Sequence, residues 1–157
     1  MVSFLGLLVL ATSVVAYATP LAVRDAGTDL LVTDLLRLDQ TIRNIAYAAG
    51  NYTGETIAES NRIIAVVANP IAPDITDAVN ALIAKKALIA SAGLSAETAA
   101  GLNLISCDHD TLSLVAVAPK LNAATISAAA APVLRIDVDW RRGVAAFGGI
   151  PLAPITM

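Results

Sequence analysis

Apolar residues recur along this chain at helical rather than strand spacing, and the pattern divides its body into five segments. The clearest is residues 75–94. There Ile75, Val79, Leu82, Ile83 and Ile89 form one apolar stripe, while Lys85 and Lys86 stand on the outer side. Pro73 and Asp74 predict its start, because proline suits a first turn and aspartate accepts a bond from an orphan backbone N–H. Gly93 predicts a left-handed cap at its end, with Leu94 placed for the apolar contact that accompanies such a cap. Ser95 is expected to cap the next helix at once. A turn that tight makes the two helices roughly antiparallel neighbours.

The remaining segments are less regular. The first spans about residues 28–49, with Leu31, Leu35, Leu38, Ile42, Ile45 and Ala49 on a seam of alternating fours and threes. Asp34, Arg37, Asp39 and Arg43 fall off that seam. The second spans about 55–68, where Ile57, Ile64, Val67 and Ala68 share a side and Ile63 and Val66 widen the arc. Asn69-Pro70 stops it, and residues 70–73 form a rigid connector. The fourth spans about 96–117, with Leu102, Ile105, Leu112 and Val115 inward, and Pro119 ends it. In the fifth, residues 123–131 are nearly all small, and Pro132 predicts a kink or restart. Beyond it Val133, Ile136, Trp140, Val144 and Phe147 make a stripe, with Arg135/Asp139 and Asp137/Arg141 as outer charge pairs. Residues 148–157 are expected to be a loose tail. The pattern predicts an all-α fold, an antiparallel bundle of about five amphipathic helices over residues 28–147.

The chain opens differently. Residues 4–15 are an apolar run too short to span a bilayer comfortably, followed by Ala16-Tyr17-Ala18, a small-x-small cleavage pattern. Residues 1–18 therefore read as a secretory signal, with an N-terminal anchor as the alternative. Residues 19–27 read as a short pro-region or flexible N-terminus, where Arg24 is a processing site or an ordinary exposed charge.

Composition narrows the core and the partners. Apolar residues are 57% of the chain and aromatics only 4%, so alanine and aliphatic side chains must fill the interior. The formal net charge of −3, without a basic block, argues against nucleic acid as a partner. Cys107 is the single cysteine, so packing rather than an intramolecular disulfide must hold the fold. It is either a buried small hydrophobe or a handle for intermolecular pairing. Asn51-Tyr52-Thr53 is an N-glycosylation sequon in an expected turn between helices.

Several stretches in order carry a resemblance: 34–45 (DLLRLDQTIRNI), 77–94 (DAVNALIAKKALIASAGL), 108–121 (DHDTLSLVAVAPKL) and 136–147 (IDVDWRRGVAAF), behind a secretory leader. Together they resemble the fungal hydrophobic surface binding protein A family, also called the cell wall galactomannoprotein family. His109, Cys107, Arg141, Arg142 and the proline-broken tail depart from that pattern. The resemblance implies a secreted or wall-associated helical bundle without catalytic activity. It implies adsorption to hydrophobic surfaces, recruitment of a secreted hydrolase in some members and a fatty acid held between helices in others. Some members are mannoprotein antigens.

Candidate chemistry is sparse. Cys107 and His109, two apart on a helix, point about 200° apart and form no nucleophile–base pair. Ser106 and Ser113 have no base beside them in sequence, and no ligand cluster suggests a metal. No cofactor is expected. His109 follows Ile105 by four and precedes Leu112 by three, which puts it on the apolar stripe. It is either a core or groove-edge histidine with a hydrogen-bonded ring, or a polar contact for a ligand headgroup. Asp108 and Asp110 are expected to face solvent. Lys85 and Lys86 are either solvated charges or partners for a ligand carboxylate. Wide apolar arcs either close on each other or leave an interhelical pocket for a fatty acid or other lipid. The candidate lining is Leu35, Leu38, Ile42, Ile45, Ile64, Val67, Val79, Leu82, Ile83, Leu102, Ile105, His109, Leu112, Ile136 and Trp140. The competing expectation is a bundle whose helices open onto an apolar surface.

Overall fold

The computed structural model describes residues 26–50 and 56–156, with side chains of the first helix described for Thr33, residues 36–47 and Ala49. The expected signal segment 1–18, residues 19–25, the sequon at Asn51 and the side chains of Leu31, Asp34 and Leu35 lie outside the described residues. Among those described the chain is all-α, without strand or disulfide. Its helices are α1 (Ala26–Gly50), α2 (Ile57–Val66), α3 (Ala72–Ala84), α4 (Lys86–Ser91), α5 (Ser95–Asp110) and α6 (Ile126–Ala146). The five predicted segments are present. The third is divided at Lys85, whose φ of −94° and ψ of 6° interrupt the helix, into α3 and α4.

Helix ends follow local chemistry, with some differences from expectation. A capping box opens α2: Thr56 N–H donates to Glu59 Oε2 at 3.0 Å, and Glu59 N–H donates to Thr56 Oγ1 at 3.2 Å. α2 then widens into a π-helical turn, Val67–Ile71, inside which Asn69 is extended. α3 begins three residues earlier than expected, with Pro73 in its first turn and no side-chain cap from Asp74. Gly93 takes the left-handed conformation at φ 72°, and Leu94 N–H reaches back to the Ile89 carbonyl at 3.0 Å with its side chain buried. Ser95 begins α5 rather than capping it. α5 continues as a second π-helical stretch, Thr111–Val117.

α6 is the central element. It passes through Pro132 without restarting, because the bond that proline cannot donate would have gone to the Ala128 carbonyl, and residue 128 is exposed to water. The predicted stripe is buried throughout: Val133, Ile136, Trp140, Val144 and Phe147. α5 packs on one side of it and α3 on another. The approach is tight at Gly143, where an added Cβ would lie 3.1 Å from Leu102 Cδ1 and 3.3 Å from Val79 Cγ1. The expected outer charge pairs of α6 do not form as such, because Asp137 and Asp139 are buried. Asp139 instead accepts from Thr76 Oγ1 at 2.6 Å and from Arg142 at 2.8 Å, tying α6 to α3.

The segment after α6 is held rather than loose. Gly148 is left-handed at φ 80°. Asn103 donates to the Ile150 carbonyl and Arg141 to the Leu152 carbonyl, both at 3.0 Å, and Ile155 is buried. Backbone carbonyls that accept from side chains of the preceding helices anchor a terminus even where proline forbids a helix.

α1 packs on α5 and on the π-helical stretch after it. Its expected seam is only partly covered among the described side chains, with Ile42 packed against the core. Leu38 and Ile45 are largely exposed, whereas Asp39 is buried. Arg43 Nε donates to Asp39 Oδ2 at 3.0 Å and lies 2.7 Å from Asp108 Oδ2 on α5. Asp108 therefore does not face solvent. Burial, then the hydrogen bond and charge of Asp39, push its carboxyl up from 3.8 to about 6, against the pull of Arg43.

This pair gives stability a definite pH dependence. The native carboxyl keeps its proton to higher pH than the unfolded one, so the native state binds more protons between pH 3.8 and about 6. Stability should fall as pH rises through that window and level off above it. The expected loss is on the order of 1 kcal/mol, the linkage value discounted for solvent screening at a partly open site. Urea midpoints between pH 4 and 7 measure it, and Asp108→Asn should flatten its share of the slope.

Candidate functional site

Where α6 leaves its tight contact near Gly143, the bundle does not close. A cavity of about 620 Å³ lies between the N-terminal half of α6, the end of α1, α2 with its π-helical turn, and the junction of α5 with its own π-helical stretch. Small residues make the room. Ala129, Pro132 and Val133 on α6 face it where longer side chains would fill it. Ile42 and Ile45 of α1, Ile63, Ile64 and Val66 of α2, Val67, Ile71 and Ile75 form the opposite apolar walls. Ile45, Arg62, Val66 and Ile71 are also exposed, so the cavity opens to solvent along α2.

Of the predicted lining residues, Ile42, Ile45, Ile64, Val67, His109, Leu112, Ile136 and Trp140 meet at this cavity. The others do not. Val79, Leu102 and Ile105 have no exposed surface and belong to the solid core around Gly143. Leu82 and Ile83 pack partly buried against that core. Leu38 turns outward, and the side chain of Leu35 lies outside the described residues. Lys85 and Lys86 are exposed and away from the cavity, so neither serves it. Sequence reasoning missed Ile63, Val66, Ile71, Ile75, Ala129, Pro132, Val133, Val117 and Leu121. Two signals were available: the second segment's arc was wider than one seam requires, and the small residues before Pro132 could not fill space.

One wall is polar. His109 is buried, with Nδ1 3.1 Å from Asp110 Oδ1 and Nε2 3.3 Å from Ser113 Oγ. The structure thus supplies Ser113 with the base that it lacks as a sequence neighbour, one helical turn away. The order hydroxyl–imidazole–carboxylate has the sequence of an acyl-transfer relay. Such a relay also needs free donors for a developing oxyanion. Ser113 sits inside helical backbone, whose N–H groups are committed to the helix itself. Asp110 is half-buried through its contact with the ring rather than free in solvent.

Trp140 completes this wall. It is 1% exposed, and its indole N–H has no hydrogen-bond partner among the described residues. Behind it Asp137 is buried. Its carboxyl is pushed up by burial first and by Asp110 next, and held down by Arg141, by His109 and by a bond from the Ile155 N–H. At the mouth the Glu59 carboxyl is held below its ordinary value by the Thr56 N–H, then the Thr56 hydroxyl, and by Arg62. No group of three or more metal-ligating side chains occurs among the described residues, and no described helix is long and apolar enough to cross a membrane.

A family model described as hydrophobic surface binding protein A matches residues 6–118. No curated protein and no solved structure matches the chain. The match runs through the end of the second π-helical stretch, so α6, which supplies Trp140 and the small residues of the cavity, lies beyond it.

Cys107, one residue before the Asp39–Arg43–Asp108 contact, is a free thiol and only half-buried, so it is not the fully buried small hydrophobe of the first expectation. Burial first, then the charges of Asp108 and Asp110, push its thiol above the ordinary value. Its thiolate fraction at pH 7.5 should be small. Iodoacetamide should alkylate it several-fold more slowly than a free peptide thiol, and unfolding in urea should remove the difference.

Proposed function

The chain belongs to the hydrophobic surface binding protein A family, and we propose that it is a secreted, non-enzymatic protein that holds an acyl chain of a fatty acid or other lipid in its interhelical cavity. One observation carries this reading: about 620 Å³ between the helices is lined mainly by apolar side chains, with one polar wall, and opens along α2. That size is ordinary for a small-molecule site and large for a packing defect. Burying about twelve methylenes at roughly 0.8 kcal/mol each gives about 10 kcal/mol before association costs, enough for micromolar binding after them. The ligand's polar end then needs only to be oriented.

A second reading is favoured by the family's description and by the outer surface. In it the protein adsorbs to hydrophobic material at the cell wall or beyond and recruits a partner hydrolase there. Leu36, Leu38 and Tyr47 on α1, with Leu88, Val115 and Val138 elsewhere, are exposed apolar residues. α1 also rests mainly on α5 and the stretch after it, so lifting it would bare one side of the cavity. The two readings share their apolar faces and differ in whether the bundle stays closed.

Filling the cavity separates them. Ala129→Leu with Val133→Phe should weaken binding of a fluorescent fatty acid at least tenfold, measured by displacement, while leaving the urea midpoint unchanged or raised. An unchanged affinity would rule against the internal site. Adsorption predicts depletion of the wild-type protein from neutral solution onto an oil or polyester surface, and full recovery in solution would exclude it.

A further inference from the structure

We infer that the mouth of the cavity is the face with which this protein settles on a lipid phase, with Ile45, Val66 and Ile71 entering an uncharged, acyl-rich surface while the helices stay closed. This rests on the reading of the chain as an adsorbing protein, and it names the face and the kind of surface.

The three side chains come from separate elements and meet at one opening. Ile45 lies near the end of α1, Val66 ends α2, and Ile71 ends the π-helical turn. Each lines the cavity, yet they are 48%, 52% and 37% exposed. Large apolar side chains that face water singly are ordinary. Three around the mouth of an apolar chamber are not, because a surface covering the mouth removes all of them from water in one contact. The spacing of α2 sets this up. Glu59, Arg62, Ile63 and Val66 lie three or four apart, so they share the face that looks into the opening. The apolar wall continues from this rim into the chamber behind it. A phase made of acyl chains wets both, because its chains can enter where a flat solid cannot.

Charge points to an uncharged phase. The exposed charged residues that line the cavity are Glu59 and Arg62, of opposite sign and close enough that Arg62 helps hold the Glu59 carboxyl down. Lys120, half-buried beside the lining residues Ala118 and Leu121, donates to the Ala49 carbonyl at 2.6 Å. The chain as a whole carries a formal charge of −3, which an anionic bilayer repels at long range. Leu88 on α4 and Val138 on α6 are more exposed than any of the three rim residues, but neither lines the cavity. Val138 is two residues on from the lining Ile136, which turns it about 200° away. They serve as apolar controls off the rim.

The test measures partition of the secreted protein from neutral buffer onto triolein droplets. Ile45→Gln with Val66→Gln and Ile71→Gln should lower the partition constant by about tenfold or more, because adsorption scales with the apolar area buried. Val66→Gln alone should lower it about threefold on the same scaling. Leu88→Gln with Val138→Gln should leave it unchanged. Urea midpoints show whether each variant folds, and if the triple variant does not, Val66→Gln decides alone, at the most exposed of the three positions. A rim variant that partitions like the wild type, or an off-rim pair that loses as much, overturns the inference and leaves adsorption itself standing. Wild-type protein that stays in solution overturns both. Tighter binding to anionic phospholipid vesicles than to triolein overturns the choice of surface. A wild-type dimer in light scattering that the rim variant lacks overturns it too, by giving the rim to a second copy of the chain.

Discussion

The structure depends on how closely its helices approach one stripe of α6. With few aromatics and no intramolecular disulfide, the core must come from aliphatic side chains meeting at short range. Gly143 permits that at one end of the stripe, where Leu102 and Val79 press against bare backbone. Val144 and Ile136 are buried almost completely, and Trp140 is the largest fully buried side chain. Toward its N-terminal half α6 presents Ala129, Pro132 and Val133, and the facing helices stand off. A solid core at one end and a cavity at the other follow from the same helix. Trp140 sits at the boundary and belongs to both.

The first helix is attached by different physics. Beside the apolar contact of Ile42 with the core, its buried Asp39 adds a charged contact to its docking. Arg43 sits between two carboxyls, one on its own helix and one on α5. A carboxyl pair with a single cation is satisfied best when one acid keeps its proton, and burial pushes Asp108 in that direction. Such a contact fixes register but adds little net stability, because desolvation offsets most of the attraction. α1 packs on α5 and the stretch after it, and its Ile42 and Ile45 close one side of the cavity. An internal acyl site and adsorption through an opened bundle draw on this same feature.

The polar wall follows from helical geometry. Residues four apart share a face, so His109 and Ser113 meet, while Asp110 reaches the other ring nitrogen from the next position. The hydrogen-bond order resembles that of a hydrolase, but helical backbone keeps its own N–H groups and leaves none for an oxyanion. A ring held on both sides, a hydroxyl and a buried indole thus give the apolar chamber one polar wall.

Much of this was legible in the sequence. The 3.6-residue period gave the helices, the stripe from Val133 to Phe147 and the left-handed turn at Gly93, because burial and steric demands act locally on residue type. The same period placed His109 on an apolar face. It did not tell core from cavity: Leu102, Ile105 and Val79 carry the same signal as Ile42 and Ile64, yet only the latter pair borders open space. Nor did it show that Asp39, Asp108, Asp137 and Asp139 would be wholly or partly buried, or that the chain after Gly149 would be pinned by Asn103 and Arg141. A sequence determines which face of each helix avoids water, since that depends on each residue and its near neighbours. How far two such faces approach, and which charges are trapped between them, is decided by side chains distant in the chain. Only the tertiary structure brings those together.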